Sequence, residues 1–137
     1  MKNTTLIITQ NNLDMIRQHI ESSENLSVFN KTQLSADLQN AVKVTADELP
    51  ADVVTTNSFV KLLDLESMQE FNFYLVMPDF ADIKSKKVSC LSPIGMALFG
   101  YRTGAEIKWE TPAGLRAYRL LSVTRAEKEP STLLSIP

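Results

Sequence analysis

The stretch Val88-Ser89-Cys90-Leu91-Ser92-Pro93-Ile94-Gly95-Met96-Ala97-Leu98-Phe99-Gly100 changes its hydrophobic pattern midway, and that change decides the fold. Val88 to Leu91 reads as a short strand. Ser92 can then cap a helix, because its side-chain oxygen accepts from a backbone N–H that has no helical partner. Pro93 suits the first helical position, where its missing N–H is not needed. Ile94, Met96, Ala97, Leu98 and Phe99 make this helix apolar nearly all round, which predicts burial. Gly100 is a natural stop.

Downstream of that stretch, Tyr101-Arg102-Thr103-Gly104 turns the chain. Ile107 and Trp109 then alternate with Glu106, Lys108 and Glu110, the period of a half-buried strand. Thr111-Pro112-Ala113-Gly114 reads as a hairpin turn, with Leu115 to Thr124 as the returning strand. The tail from Ala126 to Pro137 has no clear period. Upstream, Val53-Val54-Thr55 and Ser58 to Leu63 are rich in β-branched and apolar residues. The polar stretch from Asp64 to Glu70 separates them from a strand in which Phe71, Phe73, Leu75 and Met77 alternate, ended by Pro78-Asp79.

Before Pro50 the pattern is helical. Asn11 or Asn12 is a candidate N-cap for a helix carrying Leu13, Ile16 and Ile20. The polar run Glu21-Ser22-Ser23-Glu24-Asn25 ends it. A second helix is expected from Lys31 to about Lys43, with Leu34, Leu38 and Val42 along one face. Leu6-Ile7-Ile8-Thr9 is either a short strand or an apolar lead-in. Two short amphipathic helices with a short connection make an antiparallel hairpin. The expected class is therefore α+β: a short helical hairpin over residues 1–49, then a mostly antiparallel sheet with one short helix over residues 50–137.

Composition narrows the function. Of 137 residues, 44% are hydrophobic, which is enough for a core. Fourteen basic and 16 acidic residues leave a net charge of −2, which argues against the basic footprint of a duplex-nucleic-acid binder. The single cysteine, Cys90, excludes an internal disulfide and favours a reducing compartment. No signal-peptide core follows the N-terminus, and no apolar run approaches the roughly 20 residues that span a bilayer. The reading is a soluble cytoplasmic protein without a membrane partner.

Catalytic signatures are missing. His19 is the only histidine, so no nucleophile–base set can be assembled around another one, and His19 with Cys90 has no metal-site spacing. Four glycines form no phosphate-binding loop. No cofactor, metal or catalytic residue is expected. Lys84, Lys86 and Lys87 form either a solvated loop or a contact for an acidic surface. Glu21 and Glu24 at the hairpin tip are either ordinary surface carboxylates or a pair able to complete another protein's magnesium site.

The segment from Val88 to Gly100 resembles the strand–SPxG–helix signature of the Gre-factor C-terminal domain. Gly104-Ala105-Glu106-Ile107-Lys108-Trp109-Glu110 and Thr111-Pro112-Ala113-Gly114 follow at family-like spacing. Asp52 to Val60 looks like that domain's opening strand, and Leu75-Val76-Met77-Pro78 like its central strand end. The short N-terminal hairpin is most similar to the short-armed branch called regulator of nucleoside diphosphate kinase (Rnk). Thr56, Ala105-Glu106 and the tail after Arg125 depart from the branch pattern.

The resemblance implies an FKBP-like sheet domain that docks on bacterial RNA polymerase near its secondary channel, with the hairpin pointing toward or into that channel. DNA or RNA would be met only through the polymerase. The residues expected to make the contact are Ser92, Pro93 and Ile94, with Arg102 nearby. Glu21-Ser22-Ser23-Glu24-Asn25 looks like the acidic Gre tip. An arm of about ten residues, however, reaches only roughly 15 Å, at ~1.5 Å per residue. The expected mechanism is occupancy in competition with other channel factors. The alternatives are transcript cleavage through Glu21 and Glu24, or a peptidyl-prolyl isomerase-like module using Phe73, Phe99, Tyr101 and Trp109. The oligomeric state stays open.

Overall fold

The computed structural model describes residues 5–23 and 26–125. Glu24 and the tail after Arg125 lie outside the described residues. The chain opens with β1 (Ile7–Ile8) and α1 (Gln10–Ser22). Thr9, not Asn11 or Asn12, caps α1: its hydroxyl accepts from the Asn12 N–H, and Leu13 N donates to its carbonyl. The helix therefore begins earlier than side-chain preference alone suggests. Leu13, Ile16 and Ile20 are buried, as their spacing predicts.

The second helix, α2 (Val28–Gln39), is also displaced toward the N-terminus relative to the expected span. Ser27 caps it by accepting from the Asn30 N–H at 3.1 Å. Leu34 and Leu38 are buried as expected. Val42 leaves the helix and forms β2 (Val42–Lys43), which pairs in parallel with β1. The apolar lead-in is thus a strand. Val42 N and Val44 N donate to Leu6 O and Ile8 O, and Ile7 N donates to Gly100 O on the far side.

The larger sheet contains β3 (Ser58–Asp64), β4 (Glu70–Val76), β5 (Lys87–Ser89), β6 (Glu106–Thr111) and β7 (Gly114–Arg125). Their spatial order is β5-β4-β3-β7-β6. All neighbours are antiparallel except β4 and β5. Val53 contributes only an isolated bridge to Arg102, while Val54 exchanges main-chain bonds with Gly100 and Tyr101. The apolar residues there reflect burial rather than a full strand.

The short helix α3 (Pro93–Leu98) starts as the sequence predicts. Ser92 Oγ accepts from Gly95 N at 3.1 Å, and Pro93 occupies the first turn. Gly95, Met96, Ala97 and Leu98 are buried. Gly100 takes φ +89°, which ends the helix.

Hairpin and sheet share one hydrophobic cluster. It runs from Leu6, Leu13, Ile16 and Leu34 through Leu98 and Phe99 to Ile107, Trp109 and Leu120. The α+β class is as expected, and the FKBP-like description fits this five-stranded sheet with its single helix. Among the described residues no helix is long and apolar enough to cross a membrane.

Candidate functional site

The two outer strands would present unpaired main-chain groups to solvent, and each edge is covered. On β5, Lys87 exchanges two 2.9 Å main-chain bonds with Asp82 of the preceding loop. On β6 the cover is α2. The Asn30 amide nitrogen donates to Glu110 O at 2.9 Å, and Asn30 Oδ1 accepts from Glu110 N at 2.9 Å. Gln33 Nε2 donates to Lys108 O at 2.6 Å. One turn further, the Tyr101 hydroxyl donates to Asp37 Oδ2. Burial pushes the Asp37 carboxyl up, and the Tyr101 hydrogen bond opposes that shift. Burial, then the carboxylate beside it, holds the Tyr101 phenol protonated.

This docking brings the hairpin tip to the start of α3. Between them lies an apolar groove of about 640 Å³. Leu62, Phe73 and Trp109 of the sheet line it, with the half-buried Tyr118 and the more exposed Phe71. Pro93 and Ile94 enter from α3, Leu26, Ser27 and Asn30 from the hairpin, and Thr111 and Pro112 from the β6–β7 turn. The lining is mainly aromatic and aliphatic, with Ser27, Asn30 and Thr111 as its uncharged polar side chains and Glu110 as its one carboxylate.

Asp64, outside the groove lining, is buried at the end of β3. It accepts from the Glu66 and Ser67 N–H groups and from the Arg116 guanidinium, at 2.6 Å to Nη2. The Arg116 guanidinium holds this carboxyl below the usual aspartate range, and burial only partly opposes it. Arg116 also reaches Glu66 at 3.1 Å.

Of the expected site residues, Pro93 and Ile94 come together on the groove. Ser92 is engaged in structure: its hydroxyl donates to Ser89 O at 2.7 Å while it caps α3. Arg102 lies elsewhere. It lines a second, more polar concavity with Asp52, Tyr101 and Glu106, and pairs with Asp52 at 3.1 Å. Both partners are exposed, so the pair adds little stability. Glu21 is exposed in the last turn of α1, whereas Glu24 falls outside the described residues. Phe73, Phe99, Tyr101 and Trp109 are all buried, and only Phe73 and Trp109 also reach the groove.

The lysine loop is built on Asp82, whose carboxylate accepts from Lys84 N and Ser85 Oγ, and Lys86 adopts φ +59°. None of its lysines lines the groove. Cys90 is fully buried and its thiol is pushed up to about 11 by burial, so it is a poor nucleophile. Among the described residues, no three His, Cys, Asp or Glu side chains gather as a metal site.

Sequence reasoning missed the groove residues Phe71, Tyr118, Leu26 and Asn30. Phe71 shares the inward face of its strand with Phe73, and that alternation was a usable signal. Asn30 gave none, because a buried amide makes sense only once its partner strand is known.

A family model described as the C-terminal part of transcription elongation factor GreA/GreB matches residues 49–125. Transcription elongation factor GreA of Pelobacter propionicus is 35% identical over 91 residues, covering 66% of this chain and 58% of that one. GreA of Clostridium botulinum is 38% identical over 94 residues, with 69% and 59% covered. The chain thus spans less than two thirds of the length of these relatives. Among solved structures, the GreA/GreB factor from Nitrosomonas europaea superposes with a TM-score of 0.62 at 33% identity, over 89% of this chain and 99% of that one. Gfh1 of Thermus aquaticus shares the fold at 21% identity, with a TM-score of 0.50 over 87% of this chain and 97% of that one.

Proposed function

Because this chain belongs to the GreA/GreB family through residues 49–125, we propose that it is a bacterial cytoplasmic regulator that docks on RNA polymerase near the secondary channel. The docking surface is the apolar groove at the start of α3. The observation that carries this reading is the pair Pro93 and Ile94, set at the mouth of a groove lined by Phe71, Phe73 and Trp109. A contiguous apolar groove with few charges is the kind of surface that proteins keep for partners. Ser92 sets the angle of that pair rather than making the contact itself. Arg102, on the other concavity, is at most a peripheral contact.

The effect on transcription is occupancy. The bound protein competes with other channel factors and performs no chemistry of its own. Helix length supports this. The 13 residues of α1 rise roughly 20 Å, and α2 is laid along β6 rather than extended away from the sheet.

Immobilised core polymerase should retain the protein at low salt and lose it when Ile94→Asp puts a charge in the groove. No retention of the unmodified chain would sink the proposal. Backtracked elongation complexes given saturating protein and magnesium should keep their RNA length. Shortening that depends on Glu21 or Glu24 would make the protein a cleavage factor instead.

A further inference from the structure

Asn30 is 3% exposed, and a buried side-chain amide needs partners for both its oxygen and its nitrogen. Both are supplied by one residue's main chain, the N–H and C=O of Glu110. Asn30 thereby behaves as a one-residue extension of the sheet beyond β6. Its own N–H is held by Ser27, the cap of α2, which fixes the first turn of the helix relative to the strand. Leu26, just before that cap, is buried and lines the groove together with Ser27 and Asn30. The hairpin tip is therefore fastened beside Pro93 and Ile94 by a specific two-way bond in addition to the shared apolar packing.

We propose that the helical hairpin is a built wall of the docking groove and that Asn30 is the positioning residue that holds it there, so that a partner gripping Pro93 and Ile94 must also be read by Leu26. This rests on the polymerase-docking reading. It assigns the hairpin a part in recognition at the groove, distinct from reach into the channel. Asn30 acts through the wall. It sets the position of Leu26, and Leu26 meets the partner.

The test combines binding with a probe inside the groove. Trp109 is the only tryptophan and lines the groove together with Asn30, so its fluorescence reports on that space and on the core beneath it. Asn30→Asp keeps the shape but turns the amide donor into an oxygen facing the Glu110 carbonyl. It should raise acrylamide quenching of Trp109 at least twofold in the folded protein and weaken binding to core polymerase about tenfold or more. Leu26→Ala, which leaves the Asn30 bonds intact, should also weaken binding. Its effect should be non-additive with Ile94→Ala in a double-mutant cycle, as expected of residues that touch one partner element.

Gln39→Ala, exposed at the end of the same helix and outside the groove lining, should bind as the unmodified chain does. If Asn30→Asp fails to fold, the Leu26–Ile94 cycle decides. Binding that is lost with Ile94→Asp but unchanged with Leu26→Ala would overturn this inference and leave polymerase docking standing. An unmodified chain that does not bind polymerase removes the docking reading, and this one with it.

Discussion

A Cβ built on Gly95 would run into the Ser89 carbonyl oxygen and lie 2.9 Å from Cys90 Cα. Both atoms are backbone and have little room to yield. The glycine of the Ser-Pro-x-Gly segment is thus demanded by the close approach of α3 to the strand that feeds it, not by an unusual backbone angle. Gly95→Ala should cost about 1–3 kcal/mol, as over-packing in a tight interior does, and should lower the denaturant midpoint measurably. Ser92→Ala removes the cap and its bond to Ser89 O, for about 1 kcal/mol. Asp64 predicts a pH effect. Arg116 holds its folded-state pKa below the ordinary value, so on acidification the unfolded chain takes up that proton first. The stabilisation is whole above about pH 4 and is lost as the pH falls through the lower folded value. Asp64→Asn should flatten the stability curve below pH 4 in acid titration followed by circular dichroism. An unchanged curve would remove Asp64 from the acid response.

At the scale of elements, two irregularities do most of the positioning. In β7, Leu120 and Val123 are both buried although three residues apart. A strict two-residue alternation would place them on opposite faces. The register against β3 slips between Lys61 and Leu62, which face Ser122 and Leu120, so Leu121 is the extra residue of a bulge. Deleting Leu121 should place Leu120 and Val123 two residues apart, on one face by regular alternation, so the shortened chain should keep Val123 buried and still melt cooperatively; loss of the cooperative thermal transition would show that the bulge itself is required. The second irregularity is the early start of α2. Val28 and Phe29, in its first turn, are exposed apolar residues, so periodicity pointed to a start further on. The Ser27 cap overrides that signal. Ser27→Ala should lower the thermal midpoint by a few degrees, the usual consequence of about 1 kcal/mol in a domain of this size. Faster amide exchange should appear at Asn30 before it appears in α1.

Across the whole molecule, Cys90 reports on integrity. It lies in the shared cluster, fully buried, with its thiol pushed up to about 11. Labelling by a thiol reagent should therefore follow the unfolding equilibrium and accelerate in step with denaturant. Rapid labelling under native conditions would mean that the core around it opens without global unfolding. The sequence alone determined the α+β class, the capped helix at Ser92-Pro93, the inward alternation of Ile107 and Trp109, and the Gre-type signature. These depend on contacts between near neighbours, so their cause is written locally. Only the tertiary structure decided that the hairpin lies along β6, that Arg102 and Pro93 face different concavities, and that Asn30 closes a strand edge. Each of those joins groups far apart in the chain, as with the 80 residues between Asn30 and Glu110. A side chain's local pattern carries no trace of a partner that only folding brings to it.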